Sequence, residues 1–225
     1  MTTLPSFTYK YDDRFLKYMN EQIWEAEKDL NVYHNLAQIE FSNFYEHIRN
    51  PKDVLEVGCG LGRGTIYLNE LLKDRNISYT LADRTGYTKN TGAYNPTQDE
   101  FYNDLNLTKE FCELNGVSNI ETFDTERDDW NKLKKFDLIF SLCSFGMHVK
   151  IERYIERLIS VSKSNTVMIF GARHKTYNET SFSDKFDEVL FIKDDREENV
   201  TKENWLILKK PKQWSNHADT NTSTT

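Results

Sequence analysis

The sequence predicts an α/β fold, with one mostly parallel sheet covered by helices on both faces. Three observations carry it. Short apolar runs bounded by turn residues recur along the chain. Stretches with a helical period separate them. One of those runs breaks into a cluster of glycines that opens a helix, the signature of a strand–turn–helix unit.

The elements follow in order. Residues 13–49 carry the helical period: Phe15, Met19, Ile23 and Trp24 recur at helical spacing, as do Leu36, Ile39, Phe44 and Ile48. Two or three helices are expected there, the second starting at Asn31 or Asn35. The period then shortens. Asp53–Val57 reads as the first strand, and Thr65–Leu72 as the helix after the glycines. Ile77–Ala82 is the second strand. A helix is expected over Asp99–Leu114, a third strand over Asn119–Phe123 and a fourth over Phe136–Ser141. A helix from Ile151 to Val161 leads to a fifth strand, Thr166–Phe170. Only a charged stretch separates Glu188–Ile192 from Trp205–Leu208, so these two runs are expected to pair as an antiparallel hairpin on the sheet. The expected organisation is a helical cap over 1–50, the sheet domain over 51–211, and a polar, disordered tail over 212–225.

Composition narrows the function classes. The chain has 225 residues, 38% of them hydrophobic and 13% aromatic, enough for a real core. Its formal net charge is −7. Nucleic-acid-binding faces are usually basic, because affinity comes largely from neutralising phosphates, so no nucleic-acid partner is expected. The three cysteines match no zinc or disulfide spacing and read as reduced thiols. The N-terminus lacks the pattern of a signal peptide, and no apolar run approaches the length needed to cross a bilayer. A cytoplasmic protein without a membrane partner is the expectation.

The chemistry concentrates in the segment Glu56–Gly64, EVGCGLGRG. Glycines between a strand and a helix allow a tight turn and let backbone approach a ligand closely. Asp83 ends the second strand, where a carboxylate can accept from the hydroxyls of a ribose. Together they predict a site for an adenosine-containing cofactor. The glycines fall at Gly58, Gly60 and Gly62 with an acid at Glu56, which is not the spacing of a pyrophosphate-binding fingerprint.

This segment resembles the first motif of the class I S-adenosylmethionine-dependent methyltransferases, acid-x-Gly-x-Gly-x-Gly. Asp83 matches that family's second acidic position, Asp124 the position that reads adenine, and Phe136–Ser141 its fourth motif. The resemblance covers about residues 51–210. It implies a Rossmann-like, seven-stranded, mostly parallel sheet with a C-terminal antiparallel hairpin and N-terminal cap helices, and S-adenosylmethionine as cofactor. Acids suit a sulfonium better than a pyrophosphate: Glu56 would face the amine, Asp83 the ribose and Asp124 the adenine. Arg84, Thr125 and Ser141, beside these positions, complete the expected cofactor set.

The acceptor is sought in the loops after the strands, where ligands of this fold sit. The loop after the fourth strand holds His148 and has no Asn-Pro-Pro-Tyr sequence of the kind used on base amines. Transfer to a hydroxyl needs a base near neutral pH, and His148 is the candidate; capping or packing of the loop is the other role open to it. Arg173 and His174 end the fifth strand and could contact substrate or lie on the surface. The polar, aromatic stretch after Asp83 adds Tyr94, Asn95, Tyr102 and Asp104 as substrate contacts compatible with a carbohydrate. His34 and His47 read as structural. The acid pairs Asp128–Asp129 and Asp194–Asp195 are the candidates for a divalent metal, but adjacent strand residues point to opposite faces and such pairs are usually solvated, so no metal is expected.

The stretch Asp137–His148, continuing to Tyr154, is similar to a group of sugar O-methyltransferases, the methyltransferase domain of a chlorovirus glycan-synthesis protein among them. That similarity implies a glycan acceptor, a terminal deoxyhexose such as rhamnose. Methyl transfer to another small metabolite, nicotinamide-dependent oxidoreduction and a non-catalytic binding module are the alternatives.

Overall fold

The structure is a computed structural model, and it describes residues 4–21, 29–73, 75–85, 104–145, 149–172, 177–193 and 204–212. Two helices come first: α1 (Asp13–Glu21) and α2 (Leu30–Ser42). The cap of α2 is Asp29, whose carboxylate accepts from the Asn31 amide; neither Asn31 nor Asn35 begins the helix, because an anionic cap already stands before both of them. A short 3₁₀ turn, Tyr45–His47, leads to β1 (Asp53–Val57). Then follow α3 (Arg63–Leu71), β2 (Ser78–Asp83), α4 (Leu105–Leu114), β3 (Ile120–Asp124) and β4 (Phe136–Ser141). The expected helix over Ile151–Val161 is a 3₁₀ turn, Ile151–Arg153, and a short α5 (Ile155–Ser160). The chain ends in β5 (Ser162–Gly171), β6 (Phe186–Ile192) and β7 (Trp205–Pro211).

The seven strands form one sheet in the order β3-β2-β1-β4-β5-β7-β6. β1 to β5 run parallel, and β7 is antiparallel to both β5 and β6. The α/β class, the mostly parallel sheet and the terminal hairpin all agree with the sequence expectation. Sequential strands move outward from β1 to β3, and the chain then crosses to β4 on the other side of β1. The reversal places a crevice between the C-terminal ends of β1 and β4, where open α/β sheets bind ligands.

Side chains alternate across the sheet, as strand geometry requires. Leu138, Phe140, Val167, Ile169, Trp205 and Ile207 join a cluster with α1, α2, α3 and α4. Leu55, Ile139, Met168, Phe170, Leu206 and Leu208 join a second cluster with α5. The cap is part of the first cluster. Tyr9, Phe15, Met19, Tyr33, Phe41 and Phe44 are all buried in it. Among the described residues, no helix is long and apolar enough to cross a membrane.

Candidate functional site

The turn after β1 has the backbone that its glycines predict. Gly58, Gly60 and Gly62 have φ of +67°, +54° and +78°, in the left-handed region that side chains disfavour. The Gly58 and Cys59 amides donate to the Ala82 carbonyl at 2.7 and 3.3 Å, which fastens the turn to the end of β2. Gly58 and Gly62 are also sterically forced. A Cβ at Gly58 would lie 2.0 Å from Cβ of Ser144, and one at Gly62 would lie 2.4 Å from Sγ of Cys112. The first contact joins the loops of β1 and β4 across the crevice. The second comes from α4, which clamps the turn: Thr108 Oγ1 donates to the Gly60 carbonyl at 2.6 Å.

Asp83 sits under this turn. The Gly60 amide donates to Oδ2 at 2.9 Å and the Arg84 amide to Oδ1 at 2.7 Å. Burial pushes the Asp83 carboxyl above its ordinary range, and these two amides pull it back. Each oxygen accepts one amide here, whereas a carboxylate has about four acceptor sites. Capacity for two hydroxyl donors therefore remains. Arg84 directs its guanidinium to Glu126 at 3.4 Å, a half-exposed pair on the rim.

The other two acids are engaged differently. Glu56 is buried and turns toward α3, where Oε2 accepts from the Thr65 amide at 2.9 Å and its hydroxyl at 2.7 Å. Burial raises its pKa to about 7, against the lowering effect of the Thr65 donors. The carboxyl therefore orders the helix start as well as bordering the turn. Asp124 pairs in register with Asp83. Its Oδ1 accepts from the Glu126 and Arg127 amides at 3.0 and 3.2 Å, closing the turn after β3. The Thr125 amide donates to the Asp83 carbonyl at 3.0 Å. Ser141 is fully buried and accepts from the Phe145 amide at 3.2 Å, which shapes the loop after β4. The fold thus brings Gly58, Gly60, Asp83, Arg84, Asp124 and Thr125 to one edge, while Glu56 orders the start of α3 and Ser141 the loop after β4.

Asp104, expected as a substrate contact, has a local role in the structure. It is the cap of α4, accepting from the Asn106 and Leu107 amides at 2.9 and 3.3 Å. Its extended backbone starts α4 at Leu105; the expected start, Asp99, lies outside the described residues. Asp128 and Asp129 likewise serve local turns, accepting from the Asp124 and Asn131 amides. His34 accepts from the Tyr9 amide at 3.1 Å, a structural role. His148, Tyr94, Asn95, Tyr102, Arg173 and His174, and the pair Asp194–Asp195, lie outside the described residues. The residues bracketing His148 are described: Phe145 and Val149 form a bridge, and the Val149 amide donates to the Ser144 carbonyl at 3.1 Å.

Sequence reasoning passed over Thr65, Thr108 and Cys112. The last two stand one turn apart on an α4 face shared with Phe111, a polar pair facing inward. That was the available signal.

No family model matches the chain, and no curated protein matches it. Solved structures do. A SAM-dependent methyltransferase from Aquifex aeolicus matches with a TM-score of 0.52 at 14% identity, over 89% of this chain and 100% of that one. A proposed O-methyltransferase from Nostoc punctiforme matches with a TM-score of 0.52 at 15% identity, over 78% of this chain and 56% of that one. A precorrin-6y C5,15-methyltransferase from Geobacter metallireducens matches with a TM-score of 0.51 at 14% identity, over 78% and 87%. The chain spans just over half of the Nostoc protein's length. At these identities the likeness is one of fold: this chain has the Rossmann-like sheet that those methyltransferases have.

Proposed function

We propose that this chain is an S-adenosylmethionine-dependent methyltransferase that methylates a sugar hydroxyl, on a terminal deoxyhexose such as rhamnose in a glycan. The observation that carries the cofactor reading is Asp83, held under the glycine turn with two acceptor sites still open at the C-terminal edge of the sheet. The fold likeness to methyltransferases supports it. The sugar acceptor rests on the sequence resemblance and on the polar, aromatic residues Tyr94, Asn95 and Tyr102.

The residues present fit the cofactor. Glycines with positive φ let its amino-acid end approach the backbone, and Asp83 would take the ribose hydroxyls. Asp124 and Thr125 would border the adenine. S-adenosylmethionine would supply a methyl group on a sulfonium, electrophilic enough for an oxygen to attack. The protein's share is alignment, which accounts for a large part of such accelerations. His148 would take the proton as the C–O bond forms and the S–C bond breaks. Arg173 and His174 would hold the acceptor from the end of β5.

Calorimetric titration with S-adenosylhomocysteine and with NAD is the first test. Tight binding of the former, lost in Asp83→Ala, is expected; preference for NAD would replace this reading with an oxidoreductase. Incubation of sugar acceptors with labelled cofactor then tests the substrate. Label on a deoxyhexose, absent with His148→Ala, is expected; label only on amines or other metabolites would remove the sugar assignment.

A further inference from the structure

A charged assembly sits beside the glycine turn. Arg63 is the first residue of α3 and is 7% exposed; Glu40, on α2, is 5% exposed. Their side chains form a two-pronged pair, Nη1 to Oε2 and Nη2 to Oε1, the latter at 2.9 Å. Cys143, in the loop after β4, lies 3.9 Å from Arg63 Nη2 and 3.7 Å from Glu40 Oε1. Tyr9 donates its hydroxyl to the Arg63 carbonyl at 3.1 Å. The cap, the start of α3 and the β4 loop therefore meet at one buried ion pair.

Stability alone explains such a pair poorly. Desolvation offsets most of the attraction, and two apolar side chains of similar size often serve as well. What apolar residues lack is direction, because a guanidinium fork meets a carboxylate in one geometry. Arg63 follows Gly62 directly, so its orientation is passed to the turn that cradles Asp83.

We propose that Glu40 and Arg63 are positioning residues, which hold the glycine turn in register with the loop after β4. Part of this inference, the effect on cofactor, rests on the methyltransferase reading; the effect on the turn itself does not.

The test compares Glu40→Gln with the apolar double variant Glu40→Leu/Arg63→Met. Thermal stability, hydrogen exchange at the Gly58, Gly60 and Gly62 amides without ligand, and the Kd for S-adenosylhomocysteine are measured in each. Glu40→Gln leaves Arg63 buried without a counter-charge, so Tm falls by roughly 6 °C or more. The double variant recovers Tm to within about 3 °C. Its glycine amides nonetheless exchange about tenfold faster, because the turn now opens locally. Its Kd rises about tenfold if the competent arrangement is populated one time in ten. Wild-type exchange and Kd in the double variant would reduce the pair to a structural brace and overturn the proposal. Should that variant stay unstable, Arg63→Lys, which keeps the charge without the fork, carries the same comparison against its own Tm. Failure of S-adenosylhomocysteine to bind wild type, with faster exchange still present in the variant, would sink the methyltransferase reading and leave the positioning role standing.

Discussion

A methyl group added at Gly62 would meet Sγ of Cys112 at 2.4 Å, on a backbone already at φ +78°. Two costs combine. A side chain in the left-handed region costs about 1 kcal/mol, and overpacking a tight contact costs roughly 1–3 kcal/mol. Gly62→Ala should therefore destabilise by about 2–4 kcal/mol in chemical denaturation. Adding Cys112→Ala should restore the packing share and leave the backbone share. No recovery in the double variant would mean that Cys112 does not limit the turn. Glu56 gives a prediction in pH. Its folded pKa is about 7, against an ordinary 4.5. Between these values the folded chain holds more protons than the unfolded one, so stability falls as pH rises across that window and then levels off. The buried charge costs on the order of 3 kcal/mol above the window. Glu56→Gln should flatten the slope between about pH 5 and about pH 8 in urea titrations. An unchanged slope would assign it to other groups, with Asp83, whose pKa burial also raises, the first to consider.

Helix termini show where pattern reading ends and chemistry decides. Asp104 caps α4 through two amides, and Asp29 caps α2 through one. Asp104→Ala should cost about 1 kcal/mol of stability. A capping role predicts that KM for the acceptor stays within twofold or so of wild type, since the effect is on helix stability rather than binding. A large rise in KM at unchanged stability would make Asp104 a substrate contact, as the sequence reading expects. The strands were legible because each is a short apolar run with a turn at its end; β1 and β4 occupy the predicted residues, Asp53–Val57 and Phe136–Ser141. β5 extends four residues further toward its N-terminus, over polar positions that ladder geometry accepts and hydrophobicity does not mark. The glycine turn and Asp83 were legible because their chemistry is local. The clamp from Thr108 and Cys112 was not, since it joins residues about fifty positions apart. Nor was the role of Glu40, whose partner Arg63 lies 23 positions away and comes near only when α2 crosses the start of α3.

For the whole molecule the question is whether the sheet domain stands without its cap. The cap places Tyr9, Phe15, Met19, Tyr33, Phe41 and Phe44 in the same cluster as β4, β5 and β7. Each is at most 1% exposed, and Phe44 rests against Trp205 with ring centroids 4.6 Å apart. Large apolar side chains each contribute about 1.5–3 kcal/mol when fully buried. Six of them together are comparable to the roughly 5–15 kcal/mol that holds a typical domain folded. Their removal also bares the opposite face of the cluster and takes from Arg63 its ion-pair partner Glu40. A chain cut to residues 51–211 should therefore lose fixed tertiary packing while keeping much of its secondary structure. Near-ultraviolet circular dichroism should flatten, far-ultraviolet signal should persist, and a hydrophobic dye should bind. A truncated chain that melts cooperatively with a sharp near-ultraviolet spectrum would show that the sheet and its own helices suffice. The cap would then be a cover over the site rather than half of its foundation.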